Sequence, residues 1–124
     1  MNNSDIKSLD KELKRLDNFS DLIGTAIVNR NGLLVSSRMP RDIDERKLGA
    51  LSATMFEAIE TATSGFSSKE IRNLSVEYKD YQIIILGLGP NMILVSLIDA
   101  GTNLGLILIE LEEAIKNIKS IIEK

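Results

Sequence analysis

Residues 81–98 read YQIIILGLGPNMILVSLI, and this stretch decides the fold. Two nearly continuous apolar runs flank the residues LGPN at positions 88–91, which are typical of a turn. Side chains of a strand point alternately to opposite faces of a sheet, so a strand without polar alternation is covered on both faces. The stretch therefore predicts two central strands, at residues 81–87 and 92–98.

The preceding segment, residues 74–79, differs because apolar Leu74, Val76 and Tyr78 alternate with polar residues. This pattern predicts a strand at an edge of the sheet, with one face exposed to solvent. An edge exposes a row of unpaired N–H and C=O groups, which a second copy of the chain can satisfy. The alternative is a monomer whose edge is solvated.

Further out, residues 23–28 and 33–38 are β-prone runs around an Asn-Gly turn at Asn31-Gly32, which predicts a hairpin. Apolar residues at helical spacing predict helices at about residues 4–18, 44–63 and 102–122. The predicted order is therefore αββαβββα. Short turns favour a five-stranded antiparallel sheet, and strands covered on both faces require helices on both sides, which makes an α+β sandwich.

The composition indicates one domain of 124 residues, with an N-terminal helix at 1–20 and a core at 21–122. The chain has no His and no Cys, which excludes disulfides, thiolate or imidazole metal sites and the usual Cys and Ser-His nucleophiles. Its net charge of −3 and five aromatic residues of the Phe and Tyr types argue against nucleic-acid binding. No apolar run is long enough to cross a membrane, and the start lacks a leader pattern, so we expect a cytoplasmic protein.

Glycines near residue 88 do not form a nucleotide site. Met92 stands where a dinucleotide fingerprint has its third glycine, and no segment reads GxxxxGK[ST]. We therefore expect no catalytic residue, no cofactor and no metal site.

The middle helix carries an apolar face and, beside it, a strip of mostly small residues. The apolar face comprises Leu48, Leu51, Met55, Ala58, Ile59 and Ala62. The strip comprises Gly49, Ser52, Ala53 and Phe56. Glycine is costly inside a helix, which suggests that another backbone approaches Gly49 closely, unless Gly49 lies in a frayed first turn. Together with the edge strand, the strip predicts a two-fold homodimer through Gly49, Ser52, Ala53, Phe56, Leu74, Val76 and Tyr78.

Two further features carry weaker expectations. Arg38, Arg41 and Arg46 surround the loop before the middle helix, but acidic residues are interleaved with them, so a solvated loop competes with an anion-binding patch. In the last helix, Leu106 and Ile109 lie off the main apolar stripe, and we expect that end to be buried under the first helix.

Two motifs resemble the Roadblock (dynein light chain roadblock-type) family. One is IVNRNGLLV at residues 27–35, followed by the helix with small residues; the other is DAGTNLGLILIEL at residues 99–111. The resemblance covers about residues 21–122 and is closest to the stand-alone prokaryotic members. It implies the middle helix on one face of the sheet, the terminal helices on the other, and dimerisation by edge strand and middle helix.

The resemblance also implies a function. Members of this family bind and regulate Ras-like small GTPases or serve as structural light chains, and they carry no catalytic residue to transfer. A small GTPase could dock on the paired middle helices, at Ala50, Thr54, Glu57 and Thr61, or along the sheet edge beside them. Arg38, Arg41 and Arg46 are further candidates for this contact by their charge alone. The alternatives are a small-ligand sensor of the PAS or profilin type and a light-chain-type adaptor; a sensor should enclose a cavity between sheet and helix.

Overall fold

A computed structural model of the protein describes residues 1–19, 21–66 and 70–123. The elements follow the predicted order αββαβββα. They are α1 (Asn3–Leu16), β1 (Leu22–Asn29), β2 (Leu34–Arg38), α2 (Glu45–Thr63), β3 (Asn73–Tyr78), β4 (Tyr81–Leu88), β5 (Met92–Asp99) and α3 (Leu104–Ile122). Each helix begins at an Asn or Asp whose side chain accepts a backbone hydrogen bond from the first turn: Asn2, Asp44 and Asn103.

The sheet has five strands in the order β2-β1-β5-β4-β3, and every neighbouring pair is antiparallel. The strands β4 and β5 are internal and β3 is an edge, which confirms the prediction from their patterns. Ala26 of β1 and Ile85 of β4 both lie opposite Val95 of β5, so the first and last strands meet at the centre of the sheet.

Each face of the sheet carries its own hydrophobic core. The helices α1 and α3 cover one face, where Leu9, Leu13 and Leu111 are fully buried together with Ile84 and Leu94 of the sheet. The helix α2 covers the other face, where its Phe56 packs with the buried residues Ala26, Val28, Ile85, Ile93 and Val95. This confirms the layering expected from the family resemblance.

The expected burial of Leu106 and Ile109 is wrong, because each is 63% exposed. The reason is that α1 lies beside α3 and contacts a different side of it. Asn117 Nδ2 donates to Glu12 at 2.9 Å, and the Arg15 guanidinium lies 3.7 Å from Glu110. Arg15 also donates to Glu12, and this hydrogen bond raises the pKa of Arg15 above its usual value.

The two faces of α2 are reversed relative to the sequence prediction. Gly49, Ser52, Ala53 and Phe56 are buried against the sheet of their own chain. A methyl group on Gly49 would lie 3.3 Å from side-chain atoms of both Val28 and Leu34, so a larger residue would require these neighbours to shift by a few tenths of an ångström. The groups that approach Gly49 closely are therefore side chains of β1 and β2, and not another backbone as expected from the sequence. The strip is consequently already covered within the monomer and does not form the predicted dimer surface.

Candidate functional site

The strand β3 is an open edge with apolar side chains on the face that carries α2. Leu74 and Val76 lie opposite Ile85 and Ile83 of β4, and both are half-buried, whereas Tyr78 is 57% exposed. Residues directly opposite in an antiparallel pair share a face of the sheet. The edge predicted from the sequence therefore presents Leu74, Val76 and Tyr78 on the face of the sheet that carries α2.

The backbone groups that β3 leaves free follow from the hydrogen bonds of the neighbouring strands. Ala100 N donates to Asp80 O at 2.8 Å, so the backbone groups of Asp80 point toward β5. The backbone N–H and C=O groups of successive strand residues point in opposite directions, so those of Tyr81 point toward β3, where Tyr81 pairs with Tyr78. The same alternation directs Leu74 and Val76 toward β4. The free N–H and C=O groups of the edge are therefore those of Asn73, Ser75 and Glu77.

The opposite edge of the sheet, β2, is shorter and is tied to helices on both faces. On one face Ser36 Oγ donates to Asp10 of α1, and Arg38 Nε donates to Asp17 at 2.5 Å. On the other face Ser37 Oγ donates to Glu45 of α2 at 2.6 Å. The strand β3 is thus the edge that remains accessible to a partner strand.

An apolar row of side chains runs along α2, which covers β1, β2 and β5 but leaves β3 largely uncovered. Leu51 is 51% exposed, Ile59 is 37% exposed, and Met55 between them is half-buried. Residues four apart lie on one side of a helix, so these three form a single row, which Leu48 and Ala62 extend. Leu48 and Met55 pack at the margin of the same core cluster as Leu74 and Ile83. The row and the β3 edge therefore border one apolar surface, which we call the edge surface.

Of the residues proposed for contact with a GTPase, all except Arg38 lie on the outer side of α2 or in the loop that precedes it. Ala50, Thr54, Glu57 and Thr61 are all exposed on the outer side of α2, and Arg46 lies one turn before Ala50. Thr54 Oγ1 donates to the Ala50 carbonyl at 3.1 Å, so its hydroxyl is partly used within the helix. Arg41 is exposed in the loop that precedes α2.

Arg38 does not belong to this group. Its partner in β1 is Thr25, which lies on the face covered by α1 and α3, and its guanidinium is bound to Asp17 at the end of α1. The structure therefore separates Arg38 from Arg46 and from the outer side of α2.

Arg30 was not expected from the sequence to have a functional or structural role beyond its turn. Its guanidinium lies 5.0 Å from the centre of the Phe56 ring and donates to Glu60 at 2.5 Å and to the Gly89 carbonyl at 3.1 Å. It thereby joins the β1–β2 turn, α2 and the β4–β5 turn. Its position within the turn sequence NRNG indicated only a hairpin, so no signal in the sequence revealed these partners.

Two pockets among the described residues open at the rim of the molecule. The larger, of about 680 Å³, lies beside Arg30 and Phe56 and reaches Ile71, Arg72 and Lys119. The other, of about 530 Å³, lies between Met39 and the end of α1. Among residues 1–19, 21–66 and 70–123, no group of acidic side chains could hold a metal ion, and no helix is long and apolar enough to cross a membrane.

Comparisons with known proteins give one consistent family. The model of the Roadblock/LC7 domain family matches residues 9–97. An uncharacterized protein of Methanocaldococcus jannaschii, MJ0714, is 30% identical over 90% of this chain and 94% of its own length. A second protein of that organism, MJ1340, is 29% identical over 90% of this chain and 97% of its own length.

Solved structures share the fold. MglB of Myxococcus xanthus superposes with a TM-score of 0.90 at 23% identity, covering 99% of this chain and 93% of that one. A Roadblock/LC7 domain of Streptomyces avermitilis gives 0.85 at 14% identity, covering 93% and 98%. Profilin IA of Acanthamoeba castellanii gives 0.59 at 14% identity, covering 92% and 95%. The resemblance found in the sequence motifs is therefore confirmed, and the chain belongs to the Roadblock/LC7 domain family.

Proposed function

We propose that this protein is a cytoplasmic, homodimeric and non-enzymatic regulator or scaffold of a Ras-like small GTPase. The observation that carries the proposal is the edge surface: an open strand and an exposed apolar row lie side by side on one face of the sheet. The matching family is one of regulatory and adaptor domains, and the sequence has no phosphate-binding lysine loop of its own.

The geometry of the edge surface supports a dimer. A two-fold axis that makes two β3 strands antiparallel must be perpendicular to the sheet, so both copies of α2 lie on the same face. Strand pairing satisfies the free backbone groups of Asn73, Ser75 and Glu77. It also brings the two rows of Leu51, Met55 and Ile59 toward each other. Exposed apolar side chains at a symmetric strand edge favour burial in such an interface.

The surface left for a GTPase is the outer side of the two α2 helices. Ala50, Thr54 and Thr61 are small or weakly polar, so another backbone can approach them closely, while Glu57 and Arg46 supply charges of both signs. A contact of this kind is modest in apolar area and tuned by electrostatics, as a reversible regulatory contact requires. A regulator shifts a nucleotide-dependent switch only if it binds the two states with different affinity. We therefore expect different affinities for the GTP-bound and GDP-bound partner.

A pull-down with a small GTPase from the same genome, loaded with a GTP analogue or with GDP, tests the proposal. Single-turnover hydrolysis and nucleotide-exchange assays then separate activation, exchange and scaffolding. Thr54→Arg should abolish binding, whereas the matched change Ser120→Arg, on the opposite face of the molecule, should leave it intact.

The outcomes are distinct. Equal binding in both nucleotide states, with neither rate changed, would reduce the protein to a passive scaffold. Binding that survives Thr54→Arg would move the contact away from α2. Failure to bind any GTPase of the organism would contradict the GTPase role and leave an adaptor or sensor module.

A further inference from the structure

We propose that the larger rim pocket is a binding site for a small organic anion, a carboxylate or a phosphate ester with a compact apolar body. The pocket lies where the last turns of α2, the residues that lead into β3, the β4–β5 turn and the last turns of α3 meet. Its volume of about 680 Å³ lies in the range of small-ligand sites and exceeds what a bare phosphate ion fills. The site belongs to a single chain, so it depends neither on the proposed dimer nor on the proposed GTPase contact.

The charges that line this pocket have a positive excess. Arg30, Arg72 and Lys119 reach it from three different parts of the fold, and the lining carboxylates are Glu60 and Glu70. Glu60 is already bound to Arg30 at 2.5 Å, so only Glu70 remains to balance two cations. Among the residues that the structure describes, Arg72 and Lys119 have no ion-pair partner. The pocket therefore has the opposite sign to the chain as a whole, whose net charge is −3, and this attracts an anion.

Arg30 forms a fixed part of the pocket wall. Its guanidinium lies 5.0 Å from the centre of the Phe56 ring and donates to Glu60 and to the Gly89 carbonyl, so it is held in place without a ligand. Half-buried Ile71 and exposed Pro90 add apolar lining beside the charged groups. A ligand that joins a negative charge to a small apolar body therefore meets groups of both kinds in this pocket.

Gly87 leaves room in the pocket. It lies on β4, and a methyl group at this position would lie 3.7 Å from Arg30 Nη2 and from Phe56 Cζ, which is ordinary van der Waals contact. Its φ is not in the left-handed region, so the backbone does not require glycine either. A side chain at residue 87 is therefore compatible with the fold and occupies space that the ligand would use.

Phenyl phosphate and benzoate are the probes, because they carry the same ring on a phosphate ester and on a carboxylate. Inorganic phosphate and phenol are the controls, since each keeps only the charge or only the ring. Calorimetric titration of the full chain should give at least one of the two probes a dissociation constant about tenfold or more below those of both controls. The probe that binds more tightly identifies the anionic group. Failure of both probes to bind, or affinities no better than that of inorganic phosphate, would overturn the proposal.

Charge variants test the sign of the ligand. Arg72→Ala and Lys119→Ala should each weaken binding of the tighter probe by about twofold to fivefold, as expected for exposed ion pairs. Glu70→Gln should strengthen binding, because it removes the lining carboxylate that has no partner. Weaker binding by Glu70→Gln would contradict an anion site. Arg46→Ala, which removes an exposed arginine in the first turn of α2, is the control and should leave the dissociation constant unchanged.

A steric variant tests the location. Gly87→Val should abolish binding, and Gly87→Ala should weaken it less, while circular dichroism and thermal unfolding check that both variants are folded. Unchanged binding by a folded Gly87→Val would place the site outside this pocket and overturn the proposal. If the valine variant does not fold, the double variant of Arg72→Ala with Lys119→Ala decides: loss of binding supports the pocket, and unchanged affinity refutes it.

Discussion

Gly49 of α2 and Val28 of β1 approach so closely that a methyl group on the glycine would lie 3.3 Å from the valine side chain. Because Gly49 has no side chain, α2 can lie this close to the sheet. This contact brings the small-residue strip down onto the sheet and turns the row of Leu51, Met55 and Ile59 outward.

Gly49→Leu should therefore destabilise the protein. The larger side chain must push α2 away from the sheet, and overpacking of this kind costs about 1–3 kcal/mol, partly offset by the better helix propensity of leucine. Denaturant unfolding at a fixed protein concentration measures the change. Glu57→Leu, on the outer side of the same helix, is the matched control and should stay within about 0.5 kcal/mol of the wild type. Equal stability of the two variants would contradict the close approach.

Ser75→Pro should yield a folded monomer. Its N–H faces away from β4, and proline is tolerated at an edge strand whose N–H has no partner within the sheet. Loss of this donor and the bulk of the ring should block pairing with a second β3 strand. Size-exclusion chromatography with light scattering measures the mass, circular dichroism checks the fold, and Ser75→Ala is the control that keeps the N–H.

Val76→Pro should behave differently. Its N–H points toward β4, so proline removes a bond within the sheet, and we expect loss of stability as well as of dimerisation. A folded, stable Val76→Pro monomer would show that the assignment of the free backbone groups is reversed.

Leu51→Glu should weaken the dimer without unfolding the monomer. Leu51 is half-exposed in one chain but borders the proposed interface, where a buried carboxylate lacks a partner. We expect a dissociation constant at least about tenfold higher, equivalent to about 1.4 kcal/mol. The control is Leu106→Glu on α3, which is similarly exposed on the opposite face. An equal effect of the two changes would place the interface elsewhere.

Arg30→Ala should lower the free energy of unfolding by about 1–2 kcal/mol, since hydrogen bonds to charged groups are worth about 1.5–3 kcal/mol when buried and less when partly exposed. Arg30 holds α2 through Glu60 and the β4–β5 turn through the Gly89 carbonyl. Arg30→Lys should recover only part of the loss, because an ammonium lacks the planar fork that reaches both acceptors. A double-mutant cycle with Glu60→Gln isolates the pair, and additive effects would show that the two side chains do not interact in solution.

The sequence predicted the elements, their order and the open edge, because continuous and alternating apolar runs report directly on how many faces of a strand are covered. It did not reveal which face of α2 meets the sheet. Small residues indicate a close approach, and the pattern is the same whether the approaching backbone is the sheet of the same chain or a second helix. Leu51 and Ile59 are apolar at helical spacing, and this pattern is the same for residues buried in the core and for residues exposed at an interface.

The sequence also did not reveal which residues that are distant along the chain contact each other in the fold. Arg30 bonds to Glu60 and Gly89, and neither spacing follows a helical or strand period, so only the folded chain brings them together. Leu106 and Ile109 were expected under α1 because apolar side chains favour burial. Instead α1 packs on the side of α3 that carries buried Leu111, Ala114 and Ile118, beside which Asn117 donates to Glu12.

The pairing of β1 with β5 has a consequence for how the chain is made. Residues 22–29 are synthesised well before their partners at residues 92–99, because β2, α2, β3 and β4 lie between them in the chain. Until then the β1–β2 hairpin lacks the strand that links it to the rest of the sheet, and contacts between distant segments slow folding because a long loop must close first. The sheet is therefore completed only after β5 has been synthesised, and a product truncated before β5 exposes the apolar edges of two unconnected half-sheets.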